Sequence, residues 1–420
     1  MENEKKAITY QALKYPKVQA LMRYVNKDTL KVMYRRQPKN KAVGIDGMTK
    51  EKYGENLDEN LDKLIHNMKQ FSYRPLPVRK AYIPKGNGKM RGLGIPSFED
   101  KLVQGVFKEI LESIYETKFL DSSYGFRPNR SCHDAILKVN KHIMANKVNY
   151  IIDCDIKGFF DNLDHEWLIK FLEHDIDDKH FIRYIKRFLI GGVLEDGKRL
   201  ESDKGTVQGG LISPVLANVY LHYVLDLWFE HIKREFYGEM YLVRYADDFV
   251  CMFQYENEAQ RFYELLKERL SKFNLEIAED KSRILPFGRY KGTKESFDFL
   301  GFTHINGKSH WGKYCVLHRT SKKKLKQKRE AAKIWLKEHM HESIKKTIER
   351  LNRKLIGHYR YYGIFGNYIG LKKFYKYIIL QLYFTKSRRD QSHWLTWKKF
   401  YEILRIHKIV YPRIYFKSAY

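Results

Sequence analysis

The hydrophobic and polar positions of this chain change several times between helical and strand spacing. Residues 100–116 have apolar side chains at steps of three and four, which predicts a helix, and 256–272 and 344–359 repeat that spacing. By contrast, 81–96 and 295–307 are typical of strands punctuated by glycine. Because the strands and helices do not follow a regular βαβ repeat, the pattern indicates an α+β fold.

Shorter signals refine this prediction. Residues 1–40 predict one or two basic amphipathic helices, and 35–49 follows as a loop that contains proline and two glycines. Between the strands of 81–96 we expect the hairpin turn at Lys85–Lys89. Ser213–Pro214 resembles an N-cap followed by proline at the first helical position. The candidate core residues of the amino-terminal helices are Leu13, Val18, Leu21, Met22 and Val25.

Charge is concentrated near the end of the chain. The 420 residues suffice for two or three domains and carry a formal net charge of +29 at pH 7. Residues 311–420 contain 28 Lys and Arg but only 6 Asp and Glu. Clustered cations bind phosphates favourably because binding releases condensed counterions. The composition therefore predicts a polyanionic partner, held by a basic last quarter that follows a more balanced body.

The cysteines and the apolar runs indicate the cellular compartment in which the protein is expected. The four cysteines lie far apart without a CxxC pair, which argues against a disulfide framework or a structural zinc site. The first residues lack the apolar core of a signal peptide, and no run of about 18 apolar residues would span a membrane. We expect a cytoplasmic protein with no membrane partner.

Two adjacent carboxylates, Asp247 and Asp248, lie between two apolar runs in the segment LVRYADDFVCMF. Neighbouring strand residues point to opposite faces, so these side chains converge only at a tight turn. A converging pair would bind a hard cation such as Mg²⁺, with Asp153 or Asp155 as the third carboxylate. Two such ions about 4 Å apart are a common device of phosphoryl transfer. A solvated pair of acids at a surface turn is the alternative that the spacing leaves open.

Longer motifs occur in one order along nearly the whole chain. They are GIDGMT (44–49), RPLPVRKAYIPKGNGKMRGLGIP (74–96), SYGFRPNRSCHDAI (123–136), IIDCDIKGFFDNLDH (151–165), GTVQGGLISPVLANVYL (205–221), YADD (245–248), FNLEIAEDKSRILPFGR (273–289), FDFLGF (297–302) and LNRKLIGHYRYYGI (351–364). The ordered set strongly resembles the reverse transcriptases encoded by group II introns, the intron maturases of bacteria.

The resemblance implies a right-hand polymerase with fingers and palm, followed by a helical thumb called the maturase or X domain. On that basis we expect an amino-terminal helical extension and loop at 1–45. Fingers and palm would then occupy 46–310, and an all-α basic thumb 311–420.

The same resemblance implies the catalytic residues. Asp155 is the first metal ligand of the palm, and Asp247 and Asp248 complete the catalytic triad. Asp153 would be structural or would hold a nearby group. The metal ligands that it implies around two Mg²⁺ ions are Asp155, Ile156, Asp247 and Asp248.

A further set matches positions that contact the incoming nucleotide. Lys85 and Arg91 match fingers cations that grip the triphosphate beside a Gly-rich turn, where backbone N–H groups can approach phosphates; solvated surface cations are their alternative. Lys281 matches a palm lysine that protonates the leaving pyrophosphate, although a charged turn is an equal alternative. Gln208 belongs to the loop under the templating pair. Val207 stands where the family usually has proline, and since both favour extended backbone we expect intact chemistry.

One aromatic pair and the basic thumb complete the implied contacts. Phe160 matches the residue that packs against the sugar and excludes ribonucleotides; ordinary core packing is its alternative, and for Phe159 we favour core. The thumb mixes cations with aromatic rings, which suits phosphate contacts and base stacking, and we rely on the cations more than on the rings. The implied RNA-binding residues are Lys322, Lys323, Lys324, Arg353, Lys354 and Arg360.

The sequence thus predicts an RNA-directed DNA polymerase that extends a primer 3′-hydroxyl on an RNA template with deoxynucleoside triphosphates. It would also bind its intron RNA and assist splicing and mobility. No paired Cys/His motif follows the thumb, so we expect a DNA primer made elsewhere. One alternative is a domesticated reverse transcriptase in phage defence, repair or spacer acquisition. Another is an RNA-binding splicing factor with a non-functional polymerase, which the complete triad disfavours.

Overall fold

Helices are the main elements of the chain. The computed structural model describes residues 1–84, 90–195, 198–200, 204–206, 209–387 and 395–416, with the backbone alone at 91, 193–195 and 198–200. The α-helices are α1 (Glu2–Lys14), α2 (Lys27–Arg36), α3 (Lys50–Glu55), α4 (Leu57–Lys69), α5 (Phe98–Tyr115), α6 (Cys132–Ala145), α7 (Phe159–Asn162), α8 (His165–Asp175), α9 (Lys179–Ile190), α10 (Ser213–Leu221), α11 (Leu227–Ile232), α12 (Glu256–Ser271), α13 (Lys322–Glu338), α14 (Ile344–Tyr362), α15 (Tyr368–Ser387) and α16 (Trp397–Ile406). Short 3₁₀ turns lie at Leu21–Tyr24 and Lys233–Glu235, and a π-helical turn at His222–Asp226 joins α10 to α11.

The strands form small sheets. They are β1 (Val18–Gln19), β2 (Val78–Pro84), β3 (Met90–Ile95), β4 (Tyr150–Asp155), β5 (Ile176–Asp177), β6 (Val193–Glu195), β7 (Lys198–Leu200), β8 (Met240–Tyr245), β9 (Asp248–Phe253), β10 (Arg283–Pro286), β11 (Ser296–Phe299), β12 (Phe302–Lys308) and β13 (Tyr314–Thr320). Their orders are β1-β5, β3-β2-β6-β7, β10-β4-β9-β8 and β11-β12-β13. Helices and strands are thus mixed, as the hydrophobic pattern predicted.

The contacts divide the chain into two compact units, of which the first comprises residues 1–135, 154–251 and 257–283. Helix α5 forms its centre. The Oγ atom of Ser97 accepts a hydrogen bond from the backbone N–H of Asp100, which caps the first turn. The helix then buries apolar side chains on most of its surface, and Phe107 stacks on Phe181 of α9 with ring centroids 4.4 Å apart. Helices α1, α2 and α10 pack around α5.

The hairpin predicted at 81–96 is present in this unit. Strands β2 and β3 pair antiparallel, with Arg79 opposite Ile95 and Pro84 opposite Met90. The turn predicted at Lys85–Lys89 lies outside the described residues. Strand β2 also pairs in parallel with β6, which continues the sheet on its other side.

The second unit comprises residues 136–153, 252–256 and 284–420. It contains the antiparallel sheet β11-β12-β13 and helices α13 to α16. Buried Asn367 joins the two parts: its Oδ1 atom accepts from the backbone N–H of Thr320, and its Nδ2 atom donates to the carbonyl of Tyr362. Because β13 lies within 311–420, the prediction of an all-α segment there is wrong for residues 314–320. Helices begin at Lys322.

Two local predictions also need correction. Leu13 is 70% exposed and not part of the core, because α1 packs on α5 through its opposite side, where Ile8 and Ala12 are buried. Ser213 is the first residue of α10 and not its N-cap, which is Ile212; proline stands in the first turn, as expected. The other helices predicted from spacing correspond to α5, α12 and α14.

Among the described residues, the structure contains no helix that is both long enough and apolar enough to cross a membrane.

Candidate active site

The two adjacent carboxylates lie at the turn between β8 and β9. Strand β8 ends at Tyr245 and β9 begins at Asp248, so only Ala246 and Asp247 form the turn. Ala246 is buried and has a φ angle of +59°, in the left-handed region that non-glycine residues rarely adopt. Both carboxylates are partly exposed. The tight turn that the sequence requires for convergence is therefore present.

Asp155 lies at the same end of the sheet as this turn. Strand β4 is the neighbour of β9, and the backbone N–H of Asn149 before β4 donates to the carbonyl of Phe253 at the end of β9, 2.8 Å away. The last residue of β4, Asp155, therefore lies beside the beginning of β9, where Asp248 stands. Asp153 is also partly exposed on β4, but two residues further from that end.

Lys281 pairs with Asp155. Its Nζ atom lies 2.7 Å from Oδ2 of that carboxylate. The segment that carries it follows the end of β4: the backbone N–H of Ala278 donates to the carbonyl of Asp155 at 2.8 Å. The hydrogen bond to Asp155 raises the pKa of Lys281 above its ordinary value, against the opposing effect of partial burial. The nearby charges of Asp280 and Asp247 raise it further.

The carboxylates of Asp155, Asp247 and Asp248 are oxygen ligands of the kind that a divalent cation takes. Within the described ranges, no three His, Cys, Asp or Glu side chains come close enough together to hold a metal ion. The ammonium of Lys281 stands on Asp155 in the position of a cation, and carboxylate oxygens are the ligands that Mg²⁺ prefers. The side chain of Ile156 is buried and apolar, so only its backbone carbonyl has an oxygen to offer.

The two phenylalanines after β4 differ in exposure. Phe159 is 2% exposed, whereas Phe160 is partly exposed at the beginning of α7. The carbonyl of Phe160 accepts from the backbone N–H of Thr206 at 2.7 Å. Gly205, with a φ angle of +87°, has no room for a Cβ atom against the carbonyl of Asp161. The segment that leads to the predicted nucleotide loop is thus held against α7.

Some predicted nucleotide contacts lie outside the described part of the chain. These are Lys85, Gln208 and the side chain of Arg91. The backbone of Arg91 belongs to β3, opposite Ile83. Gly209, directly after Gln208, packs so closely on the carbonyl of Gly94 in β3 that a Cβ atom would lie 2.5 Å from that oxygen. Gly209 therefore lies against β3 at a place where only glycine fits.

The predicted RNA-binding cations are all exposed, as phosphate contacts require. Among the aromatic residues mixed with them, His358 and Tyr362 are buried, while Tyr361 is 36% exposed. The burial of these two rings agrees with the expectation that the cations, more than the rings, contact RNA. Lys322, Lys323 and Lys324 lie in the first turn of α13, and Arg353, Lys354 and Arg360 lie on α14.

Arg244 is a feature of the site that sequence reasoning missed. It is 0% exposed within apolar strand β8, and its guanidinium donates to the carboxylate of Asp226, to Asn218 and to the carbonyl of Ala246 in the turn before Asp248. One signal was available, namely a charged residue inside the run LVRY. Ser123, in the motif SYGFRPNR, is a neighbour of Arg244, with which it forms an isolated β-bridge.

The sheet β10-β4-β9-β8 thus carries Asp155 and the Asp247–Asp248 turn at the same end. The profile of the family described as reverse transcriptase (RNA-dependent DNA polymerase) matches residues 83–304. The chain belongs to that family. Its relatives include a group II intron-encoded protein, which confirms the resemblance seen in the motifs.

Group II intron-encoded protein LtrA of Lactococcus lactis subsp. cremoris is 38% identical over 270 residues, which are 63% of this chain and 44% of LtrA. Protein YkfC of Escherichia coli (strain K12) is 31% identical over 308 residues, covering 65% of this chain and 78% of YkfC. The structure of telomerase from Candida albicans with a telomeric RNA fragment gives a TM-score of 0.46 at 12% identity, over 86% of this chain and 69% of that one. The chain thus spans less than half the length of LtrA.

Proposed function

We propose that this protein is an RNA-directed DNA polymerase that joins the 3′-hydroxyl of a DNA primer to the α-phosphate of a deoxynucleotide on an RNA template. The observation that carries the proposal is that Asp155, at the end of β4, and the Asp247–Asp248 turn lie at the same end of one sheet. Membership of the reverse transcriptase family supports it.

The three carboxylates would hold two Mg²⁺ ions. When bound, such ions activate the attacking hydroxyl and stabilise the leaving oxygen of an in-line displacement. Lys281 would move from Asp155 towards the pyrophosphate and donate its proton there, since a lysine is protonated at neutral pH. Phe160 would pack against the sugar, and Lys85, Arg91 and Gln208 would position the nucleotide.

A second part of the proposal is binding of intron RNA, with assistance to splicing and mobility. The exposed cations of α13 and α14 support it, because they present a basic surface to phosphates. The intron-encoded relatives support the choice of RNA. In this role the protein would stabilise folded RNA while the RNA performs its own cleavage and ligation. The four cysteines lie far apart along the chain without a CxxC pair, which fits the reducing cytoplasm as its location.

Primer extension tests the first part. The purified protein is given an RNA template, an annealed DNA primer, deoxynucleotides and Mg²⁺, beside the variants Asp247→Ala and Asp280→Ala. We expect full-length product from wild type and from Asp280→Ala, whose carboxylate lies in the Lys281 turn, and none from Asp247→Ala. RNA affinity, measured by filter binding, should be unchanged in both variants. Synthesis by Asp247→Ala at the wild-type rate would refute the proposed site.

A further inference from the structure

Arg244 is a fully buried cation in contact with four different parts of the first unit. Its Nε and Nη2 atoms donate to the two carboxylate oxygens of Asp226 at 2.7 and 2.5 Å. Nη1 donates to Oδ1 of Asn218 and to the carbonyl oxygen of Ala246, both at 3.0 Å. Nη2 also donates to the Oγ atom of Ser123 at 2.8 Å. These five hydrogen bonds use the whole guanidinium fork.

Stability alone does not explain such a group. Arg244 and Asp226 are both 0% exposed, so each charge has lost its hydration. A buried ion pair is often no more stabilising than apolar residues of similar volume, because desolvation offsets the attraction. What an apolar pair cannot do is fix the direction of several neighbouring groups at once. The geometry of the bonded groups is therefore the part that requires arginine.

The group that needs fixing is the catalytic turn. Ala246 has a φ angle of +59°, and an alanine keeps that conformation only where its surroundings determine it. Its carbonyl is bound by Arg244 on one side. On the other, Gly125 approaches the backbone of Ala246 so closely that a Cβ atom would clash with it. The backbone N–H of Tyr124 donates to the carbonyl of Arg244 at 2.8 Å, which fixes the strand before the turn.

We propose that Arg244 is a positioning residue for the catalytic carboxylates: it holds the left-handed turn at Ala246 and thereby the placement of Asp247 and Asp248. The inference rests on the proposed polymerase site. It assigns to the motif SYGFRPNR, whose function the sequence left open, the role of a support for that turn through Ser123, Tyr124 and Gly125.

The variant Arg244→Lys tests this inference. Lysine keeps a positive charge for Asp226, but its single ammonium lacks the fork that also reaches Ala246. The matched control is Arg269→Lys, because Arg269 is a partly buried arginine of the same unit that donates to the carbonyls of Val224 and Tyr223, away from the turn. Circular dichroism and thermal melting establish that both variants fold.

Three readouts separate positioning from folding. For Arg244→Lys we expect kcat to fall about 10- to 100-fold, since small displacements of catalytic groups have effects of that size. The KM for dTTP and the affinity for primer–template should stay within about twofold, since those contacts lie elsewhere. Binding of Mn²⁺, followed by electron paramagnetic resonance without substrate, should weaken several-fold. Arg269→Lys should resemble wild type in all three.

A folded Arg244→Lys variant with wild-type kcat and Mn²⁺ binding would overturn the inference. If that variant does not fold, Asn218→Ala decides, because it leaves the ion pair intact and removes one of the two acceptors that orient Nη1. We expect a several-fold loss of kcat at unchanged KM, and an unchanged kcat would contradict the proposal. Failure of the polymerase site itself is distinguishable, because Asp247→Ala would then retain synthesis.

Discussion

The ammonium of Lys281 lies 2.7 Å from the carboxylate of Asp155, a residue that we propose as a metal ligand. Both side chains are partly exposed, so this ion pair adds little to the stability of the fold. Its consequence would be functional instead: at the proposed metal site, a divalent cation and Lys281 would compete for one carboxylate. Once displaced, the ammonium would be free to act on the substrate.

Replacement of Lys281 by methionine should separate these two effects. Without the competing ammonium, Mn²⁺ should bind the free protein as tightly as in wild type or more tightly. The rate of nucleotide addition should fall about 100-fold, the size typical of a lost general acid. Electron paramagnetic resonance and single-turnover primer extension measure the two quantities. The control is Lys157→Met, whose exposed ammonium pairs with Glu276 at 3.2 Å, and weaker Mn²⁺ binding in Lys281→Met alone would contradict the competition.

Phe160 and Phe159 provide a matched pair for sugar selection. Removing the partly exposed ring in Phe160→Ala should increase ribonucleotide incorporation, because the 2′-hydroxyl would no longer meet the ring. Phe159 is 2% exposed, so Phe159→Ala should instead cost about 3–5 kcal/mol of stability and leave selectivity intact. Single-nucleotide extension with UTP against dTTP, together with urea unfolding, gives both results. Equal selectivity in wild type and Phe160→Ala would assign that residue to the core.

The palm could be predicted from sequence because its signals are local. The tight turn can be predicted from Asp247, Asp248 and the apolar runs beside them. Helices α5, α12 and α14 can be predicted from the apolar spacing of their own residues. The pairing of Lys281 with Asp155 joins residues 126 positions apart, and no local pattern contains it. The motif resemblance supplied both residues but not their contact.

Other features depended on packing that the sequence does not display. Leu13 has the apolar character of a core residue, yet it is exposed, because α1 turns a different side towards α5. The basic composition after residue 311 gave no indication of β13. This strand belongs to the sheet that precedes the helices, and its residues are buried or partly exposed in turn over most of its length. Arg244 went unnoticed since its partners come from three separate segments of the chain.

The basic first turn of α13 allows a test of phosphate binding. Replacing Lys322, Lys323 and Lys324 together by alanine should weaken RNA binding and lower its salt dependence, because each phosphate contact contributes about 0.7–0.9 to the slope of log affinity against log salt. Binding isotherms between 50 and 300 mM KCl, roughly the range in which such slopes are resolved, measure the change. Lys267→Ala, which removes a lysine paired with Glu264 and Glu279, is the control and should leave the slope unaltered. An unaltered slope in the triple variant would exclude this turn from the interface.

Acid should destabilise the second unit through a buried histidine pair. His304 and His318 lie opposite each other on β12 and β13, with ring centroids 4.8 Å apart. Burial lowers the pKa of His318 to about 4, and burial together with the neighbouring His318 lowers the pKa of His304 as well. Below pH 6.5 these two histidines therefore bind protons in the unfolded chain but not in the folded chain. The free energy of unfolding falls as the pH decreases towards 4.

The variant His318→Phe measures this contribution. His318 is 1% exposed, so the folded state strongly favours its neutral form. Between pH 7.5 and 4.5, wild type should lose about 2–3 kcal/mol more unfolding free energy than the variant, the amount expected for a pKa lowered from 6.5 to about 4. Urea unfolding at the two pH values, followed by circular dichroism, gives the difference, and any packing cost of phenylalanine cancels because each protein is compared with itself. His174→Phe is the control, since that side chain is largely exposed. An identical loss in wild type and His318→Phe would show that this histidine is protonated without cost, and that the sheet opens to water before the unit unfolds.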